Sequence, residues 1–252
     1  MAFILFSVHV WGFQTFMYIK LRQESKKLHI LNYVPEEIAP VEPSDAKGVM
    51  LTSRGFAFEA PWSDLNMGKS KATGTWAIFA FDSGVGVTFC TPSTTGEDLR
   101  DVVAKEFGGD RKKLEVVFGK DQTSSEYAFH EALLNTTTAN VKPWTSSAQV
   151  ARSGMMLALK AASSVGGETG LYKVAANSWR GFQFDDPSKK ANQVALELYD
   201  TEGGHVEIVL TVRKGASNPP TQSEINRILL SLHRTGARDT LTPKENEKVA
   251  AN

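Results

Sequence analysis

The chain has little cysteine, no excess of either charge, and only one long stretch without charged residues. Its single cysteine, Cys90, excludes an intramolecular disulfide framework and a zinc site built from several cysteines. The 28 Lys and Arg residues balance 28 Asp and Glu residues, so the basic excess of a dedicated nucleic-acid-binding protein is missing. We therefore expect no nucleic-acid partner. Over 252 residues, an apolar fraction of 41% excludes wholesale disorder.

Motifs for catalysis and for cofactors are also missing. The chain has no G-x-S-x-G, no H-E-x-x-H, and no G-x-G-x-x-G after a predicted strand. The tripeptide 68–70 resembles the end of a phosphate-binding loop, but Ser63 stands where that motif needs glycine. Two acidic turns could hold a hard cation, although no calcium-loop spacing supports this; their residues are Asp185, Asp186, Asp200 and Glu202. We predict no cofactor, no metal site and no catalytic residue.

The longest charge-free stretch runs from Ala2 to Ile19 and is followed closely by four cations. As a helix, these 18 residues would extend ~27 Å, close to the ~30 Å apolar thickness of a bilayer. Aromatic residues cluster in its second half, as they do at membrane interfaces. Residues 2–19 therefore predict a transmembrane helix in contact with the lipid bilayer. A cleaved signal peptide and a buried amphipathic helix, the latter favoured by His9 and Gln14, are the alternatives.

The charges after this stretch predict an orientation. Residues 20–27 contain four cations and one carboxylate, and Lys and Arg concentrate on the cytoplasmic side of membranes. The expected location is therefore a bacterial inner (plasma) membrane, crossed once, with the main domain in the cytoplasm.

The composition divides the chain into four segments. Residues 1–27 are predicted to form the membrane anchor and the basic residues that follow it, and residues 28–48 a tether in which three prolines favour an extended path. Residues 49–234 read as a single globular domain, and 235–252 as a disordered tail without apolar periodicity.

Within the domain, β-rich and helical patterns alternate. Strands are predicted at 55–59, 75–81, 85–90, 114–118, 171–175, 181–184, 194–199 and 205–213, with hairpin turns at 82–84 and 202–204. Helices are predicted from Thr94 to 107, Thr123 to 134, Ser146 to 162, and from Thr221, all four with the spacing of a capping box. The predicted fold class is therefore α+β, with an antiparallel sheet and helices packed on its faces, preceded by one N-terminal transmembrane helix.

An eight-residue pattern occurs twice. Residues 54–61 and 180–187 share R-G-F-x-F-acid-x-P, and each copy precedes a hairpin and a capped helix. Two Phe on one strand face are normally core residues, whereas loop tryptophans can mark a partner surface. The candidate partner surface consists of Arg54, Trp62, Trp144, Trp179 and Arg180.

An enzyme remains the alternative, namely a hydrolase whose site around Cys90 or His130 matches no motif. Cys90 could act as a nucleophile if His130 or His205 served as its base. A lone cysteine in a β-rich run is more often a small buried apolar residue, so we expect no catalytic role. A third possibility is a small-ligand sensor with an apolar cleft and a few convergent polar groups.

The two ends of the domain carry a family resemblance. Residues 55–62, in the pattern F-x-F-x-x-P, resemble the opening strand of PsbP-like domains, and the apolar helix 225–232 is similar to their last helix. This resemblance implies an antiparallel sheet between helical layers and a binding or assembly role without catalysis. No counterpart is assigned for residues 111–176, and no metal ligand of that family can be carried over.

The sequence thus predicts a membrane-anchored, non-enzymatic binding or assembly module with a protein partner. This prediction depends on the anchor, the tether and the missing catalytic motifs.

Overall fold

The computed structural model describes residues 15–16, 18–24, 26–38, 41–45, 47–73, 76–91, 98–142, 144–164, 167–189, 191–213, 216 and 219–236. Its chain separates into two compact units. Unit 1 comprises residues 1–38, 96–173 and 181–186; unit 2 comprises 39–95, 174–180 and 187–252. The predicted division, with one domain over 49–234, stays a prediction. The predicted tail lies outside the described residues from position 237 onward.

The predicted transmembrane helix is wrong for the part of the chain that the structure describes. No helix there is both long enough and apolar enough to cross a lipid bilayer. Residues 15–16 and 18–24 are helical, but Lys20, Arg22 and Glu24 lie within this helical segment rather than after it. Most of the apolar stretch, residues 1–14, lies outside the described residues, so bilayer contact and the inner-membrane location stay predictions.

Unit 1 is mainly helical. Its α-helices are α1 (Leu99–Glu106), α2 (Arg111–Phe118), α3 (Glu126–Asn135) and α4 (Ser147–Ser163). Strand β1 (Glu36–Glu37) pairs in parallel with β7 (Leu171–Ala176), residue 36 opposite Tyr172. Short 3-10 helices at His29–Asn32 and Thr138–Asn140 complete it. Two of these elements, the first 3-10 helix and β1, lie in the segment predicted as a tether.

Helix α2 corrects the prediction of a strand at 114–118. Its start is fixed by Asp110, whose side chain accepts from the Lys112 amide, and it ends at Gly119, which adopts φ 96°. Leu114 and Phe118 are buried on one face, the i, i+4 spacing of a helix. The run Val116-Val117 suggested β structure, but these local start and stop signals and the packing of one face decide the outcome.

The other helices of unit 1 begin close to where they were predicted. The prediction that Ser146 caps α4 is confirmed, because its side chain accepts from the Gln149 amide. Helix α3 is capped by Ser125 rather than by Thr123, and α1 by Asp98. The predicted cap Thr94 lies outside the described residues.

Unit 2 is built on a sheet of antiparallel strands. The strands are β4 (Lys71–Ala72), β5 (Trp76–Ala80), β6 (Val85–Cys90), β9 (Gln193–Asp200) and β10 (His205–Val212), in the order β9-β10-β6-β5-β4. Both predicted hairpins are confirmed, with Gly84 and Gly203 at positive φ in their turns. Alternate residues of β10 are buried, namely Val206, Ile208 and Leu210, as a period of two requires.

A second, three-stranded sheet completes the core of unit 2. It consists of β2 (Val49–Ser53), β3 (Phe56–Ala60) and β11 (His233–Arg234), in the order β11-β3-β2. Phe58 of β3 stacks on Phe89 of β6 with ring centroids 5.7 Å apart. Helix α5 (Gln222–Ser231) packs on β3 and begins with the predicted capping box of Thr221 and Glu224, which is confirmed.

The α+β class holds, but the predicted all-antiparallel sheet does not. The pairing of β1 with β7 is parallel, so the sheets are mixed. Strand β1 has only two residues and comes from a proline-rich segment. Two residues are too few to show the alternation that predicts a strand, so the sequence did not indicate it. Strands β7 and β8 (Trp179–Phe184) are neighbours and contribute residues to both units.

The repeated R-G-F-x-F pattern has two different backbone conformations. Arg54 and Gly55 form the turn between β2 and β3, with φ of 55° and 76°. Their counterparts Arg180 and Gly181 lie within strand β8. The two copies of the pattern therefore occur in different backbone settings, although each contributes Phe residues to the core.

Candidate functional site

A groove lies among the helices in the described part of unit 1. Its volume is about 790 Å³. The groove is lined by Phe107, Val116, Val117, Gln122, Ala132, Thr136, Asn140, Ser146, Ala148, Gln149, Ala151, Arg152, Ser153, Met155 and Met156. These residues come from α2, α3 and α4, from the loops that join them and, for Phe107, from the segment between α1 and α2. The groove therefore exists only when these helices pack.

Some of the apolar side chains that line the groove are exposed to solvent. Val116 is 86% exposed and Met155 is 37% exposed. Helix α2 has eight residues and buries Leu114 and Phe118 on one face, which leaves Val116 on the opposite side. Exposed apolar side chains along a concave surface are typical of a binding site rather than of an ordinary solvent face.

Arg152 is the cation of the groove. Its Nη2 donates to the carbonyl of Phe118, at 2.5 Å, and to Oε1 of Gln122. The first bond satisfies a carbonyl at the end of α2, where the helix itself leaves carbonyls without partners. The guanidinium is therefore fixed at one edge of the groove.

Lys160 fixes the helices behind the groove. Its side chain is fully buried, and its Nζ donates to the carbonyls of Tyr33, Leu134 and Thr136 at 2.6, 2.6 and 3.0 Å. Burial lowers the pKa of this amine to about 8. The ammonium joins α4 to the end of α3, and so positions Thr136, which lines the groove.

A second polar cluster ties α1 to α3. The Glu126 carboxylate accepts from the Leu99 amide at 2.6 Å and from Arg100 Nε at 3.0 Å. Burial and then the neighbouring Asp98 carboxylate raise the pKa of Glu126. These contacts cap the first turn of α1 and pair the carboxylate with a guanidinium, which assigns the cluster to holding two helices together.

Unit 2 carries a row of polar side chains across its sheet. Cys90, Glu207 and Glu197 lie opposite one another on β6, β10 and β9, and the Cys90 thiol donates to Glu207 Oε2 at 3.4 Å. Glu197 accepts from the Tyr199 hydroxyl at 2.6 Å and lies 3.1 Å from His205 Nε2. Sequence reasoning missed Glu197, Tyr199 and Glu207, although counting outward from the hairpin turn at 202–204 would have placed them on one face with His205.

This row does not assemble a thiol enzyme. Burial and then the charge of Glu207 raise the pKa of Cys90 to about 12. His205 stacks on Tyr199 with ring centroids 4.3 Å apart, and its Nε2 lies 3.1 Å from Glu197 Oε1. The other predicted base, His130, belongs to unit 1, where it is buried with its ring 5.9 Å from that of Phe182.

The predicted partner surface is divided between the units. Trp144 lies in unit 1, is 75% exposed, and comes two residues before Ser146 of the groove. In unit 2, Trp62 is half-buried against Phe81, and Trp179 is buried with its Nε1 donating to the Leu232 carbonyl at 3.2 Å.

The two arginines of that surface have different surroundings. Arg54 lies in a turn and donates to the Thr73 carbonyl, whereas Arg180 is exposed on β8. Because Trp179 is buried, it does not belong to any solvent-accessible surface. Of the five residues, only Trp144 lies in the unit that contains the groove.

The acidic turns are engaged with donors of the protein. The Asp185 carboxylate accepts from the amides of Gly167 and Thr169 at 2.9 and 2.8 Å. Asp200 accepts from the Glu202 amide and from Arg234 Nε. Among the described residues, no three His, Cys, Asp or Glu side chains lie in an arrangement that could hold a metal ion.

Comparison with known proteins finds no matching family model, no similar curated protein and no similar solved structure. The resemblance to PsbP-like domains therefore stays a prediction, and the function has to be argued from the geometry of the described residues.

Proposed function

We propose that this protein is a non-enzymatic binding module that receives an amphipathic helix of a protein partner in the groove of unit 1. The observation that carries the proposal is the exposure of Val116 and Met155 along a groove of about 790 Å³. Apolar helix faces bind in such grooves through side chains spaced three and four residues apart.

The openness of the groove favours a polypeptide over a small molecule. Pockets for small molecules enclose 70–90% of the ligand surface, typically within about 300–1,000 Å³. Val116 is 86% exposed, so the groove is open to solvent along the wall that this side chain forms. A helix that retains its own solvent-facing side fits this shape better than an enclosed small ligand.

A flexible side chain suits the same role. Met155 lines the groove from α4 and is 37% exposed, whereas Met156, also in the lining, is buried. Methionine has an unbranched, polarisable side chain that adapts to different partner surfaces. Trp144, which is exposed and comes two residues before Ser146 of the groove, supplies an aromatic side chain of the type enriched at binding hot spots.

The enzyme alternative has less support. A nucleophilic cysteine needs a lowered pKa, whereas burial raises the pKa of Cys90 to about 12. The neighbouring carboxylate of Glu207 accepts from the thiol and opposes its ionisation.

A helical-peptide selection tests the proposal. A library of 18-residue amphipathic helices displayed on phage is selected against the full chain, and the enriched peptides are measured by fluorescence anisotropy. We expect Val116→Asp to weaken binding at least about tenfold, equivalent to about 1.4 kcal/mol, because it places a charge on the apolar wall. Val102→Asp is the matched control, since Val102 is 46% exposed on α1 and does not line the groove.

Equal loss of binding in Val116→Asp and Val102→Asp would contradict the proposal. So would a selection that enriches no peptide above background. If 1-anilinonaphthalene-8-sulfonate bound the wild type but not Val116→Asp, while no peptide was enriched, the small-ligand sensor would replace the helix-binding module.

A further inference from the structure

The groove has an electrostatic preference as well as an apolar wall. Its fifteen lining residues, all within the described part of unit 1, include one cation, Arg152, and no carboxylate. A partner with an anionic group therefore meets one fixed positive charge in the groove and no negative charge among these side chains.

Arg152 has unused hydrogen-bonding capacity. Both of its hydrogen bonds run from Nη2, to Phe118 and Gln122, and neither Nε nor Nη1 donates to any residue that the structure describes. A guanidinium offers five donors in a planar fork that matches a carboxylate. Because Nη2 is already held by α2 and the following turn, the fork is oriented before a ligand arrives.

The start of helix α4 favours the same ligand charge. Its first turn contains no acidic residue and contributes Ala148 and Gln149 to the groove. The positive end of this 17-residue helix therefore favours an anionic ligand group.

We propose that the partner helix carries a glutamate or aspartate that pairs with the Arg152 guanidinium, while its apolar stripe contacts the wall formed by Val116 and Met155. This inference rests on the proposed function, because it specifies the chemistry of the helix that the groove receives. The carboxylate is expected beside the apolar stripe, since Arg152, Met155 and Met156 lie within little more than one turn of α4.

A double-mutant cycle tests this pairing. Each enriched 18-residue peptide is synthesised with its acidic residue and with the corresponding amide, for example Glu or Gln, and both versions are titrated against the wild type and Arg152→Gln. We expect the amide peptide to bind the wild type about tenfold more weakly than the acidic peptide. Against Arg152→Gln the two peptides should differ by less than about twofold.

Lys112→Gln is the matched control. It removes the same charge from α2 at an exposed residue that does not line the groove. We expect it to keep the full preference for the acidic peptide. The amide peptide should bind Arg152→Gln as tightly as it binds the wild type, which verifies that the groove is intact in the variant.

The outcomes separate this inference from the proposed function. If Val116→Asp abolishes binding but acidic and amide peptides differ equally on the wild type and on Arg152→Gln, the groove binds helices and the Arg152 pairing is wrong. Enriched peptides without acidic residues would also overturn the pairing alone. A selection that enriches no peptide overturns both.

Discussion

The two units of this protein differ in how completely they bury their apolar side chains. In unit 2 the strands alternate, so Phe58, Phe79 and Phe89 face inward, and the ring of Phe58 contacts both of the others. In unit 1 the eight-residue helix α2 has apolar residues on two sides and buries only one of them, which leaves Val116 exposed. The comparison teaches that apolar surface stays exposed where helical periodicity and local packing do not bury it, which is where the proposed binding surface lies.

The units also satisfy their buried polar groups differently. In unit 2 the Cys90 thiol meets Glu207 because strand register places the two residues directly opposite. In unit 1 the Lys160 ammonium is satisfied by carbonyls from segments that are far apart in the sequence. Both contacts depend on long-range packing, because Cys90 and Glu207 are 117 residues apart and Lys160 donates to a carbonyl 127 residues away.

The largest expected effect is on the stability of unit 2. Phe89→Ala should lower the free energy of unfolding by about 3–5 kcal/mol, because it removes a fully buried ring that contacts Phe56 and Phe58. Val116→Ala, in unit 1, should change it by less than about 0.5 kcal/mol. Urea unfolding followed by circular dichroism measures both; similar losses in the two variants would remove the contrast between the units.

The second expected effect concerns the reactivity of Cys90. Since burial and the Glu207 carboxylate raise its pKa from 9.0 to about 12, iodoacetamide should label it at pH 8 about a thousandfold more slowly than a free thiol. The rate should keep rising with pH up to 10, without a plateau, and Glu207→Gln should increase it. A plateau below pH 9 would contradict the raised pKa and would restore Cys90 as a candidate nucleophile.

The third expected effect is a pH dependence that belongs to unit 1. Lys160 has a folded-state pKa of about 8, below its ordinary value of 10.5, so the folded state binds fewer protons than the unfolded state between these values. The free energy of unfolding should therefore rise with pH across this window, by up to about 3 kcal/mol relative to Lys160→Met. Lys112→Met, at an exposed residue, should keep the wild-type dependence.

Urea unfolding of the three proteins from pH 7 to 11 measures this difference. Parallel pH profiles for the wild type and Lys160→Met would contradict the buried amine. If Lys160→Met does not fold, the NMR titration of the lysine side-chain carbons in the wild type gives the same answer, because one lysine should titrate near pH 8.

Much of the fold could be predicted where the signal is local. The helix that starts after Thr221, the cap at Ser146 and both hairpins of unit 2 are confirmed, since each depends on side chain-to-backbone bonds or turn glycines within a few residues. The segment 114–118 was misread because two adjacent valines favour a strand, whereas Asp110 and Gly119 bound a helix.

The candidate site could be predicted only in part. Trp144 was expected on a partner surface and lies exposed near the groove, but Arg152, Val116 and Met155 carry no motif. What these residues share is that they line the groove between α2, α3 and α4. Their spacing along the chain does not reveal that groove. Trp179 was assigned to the surface because it adjoins a turn, and the packing of Phe56 against its ring buries it instead.

The sequence by itself determined the α+β class, the capped helices and hairpins of this protein, because caps, turns and alternation act over a few residues. It also determined that only one cysteine and no common catalytic motif are present. Tertiary structure decided that β1 joins a sheet in parallel, that Lys160 is buried among carbonyls, and that Arg152 and Val116 line one groove. Each of these features requires contacts between segments that are far apart in the sequence. The free energy of those contacts depends on how complete helix and strand faces pack against each other.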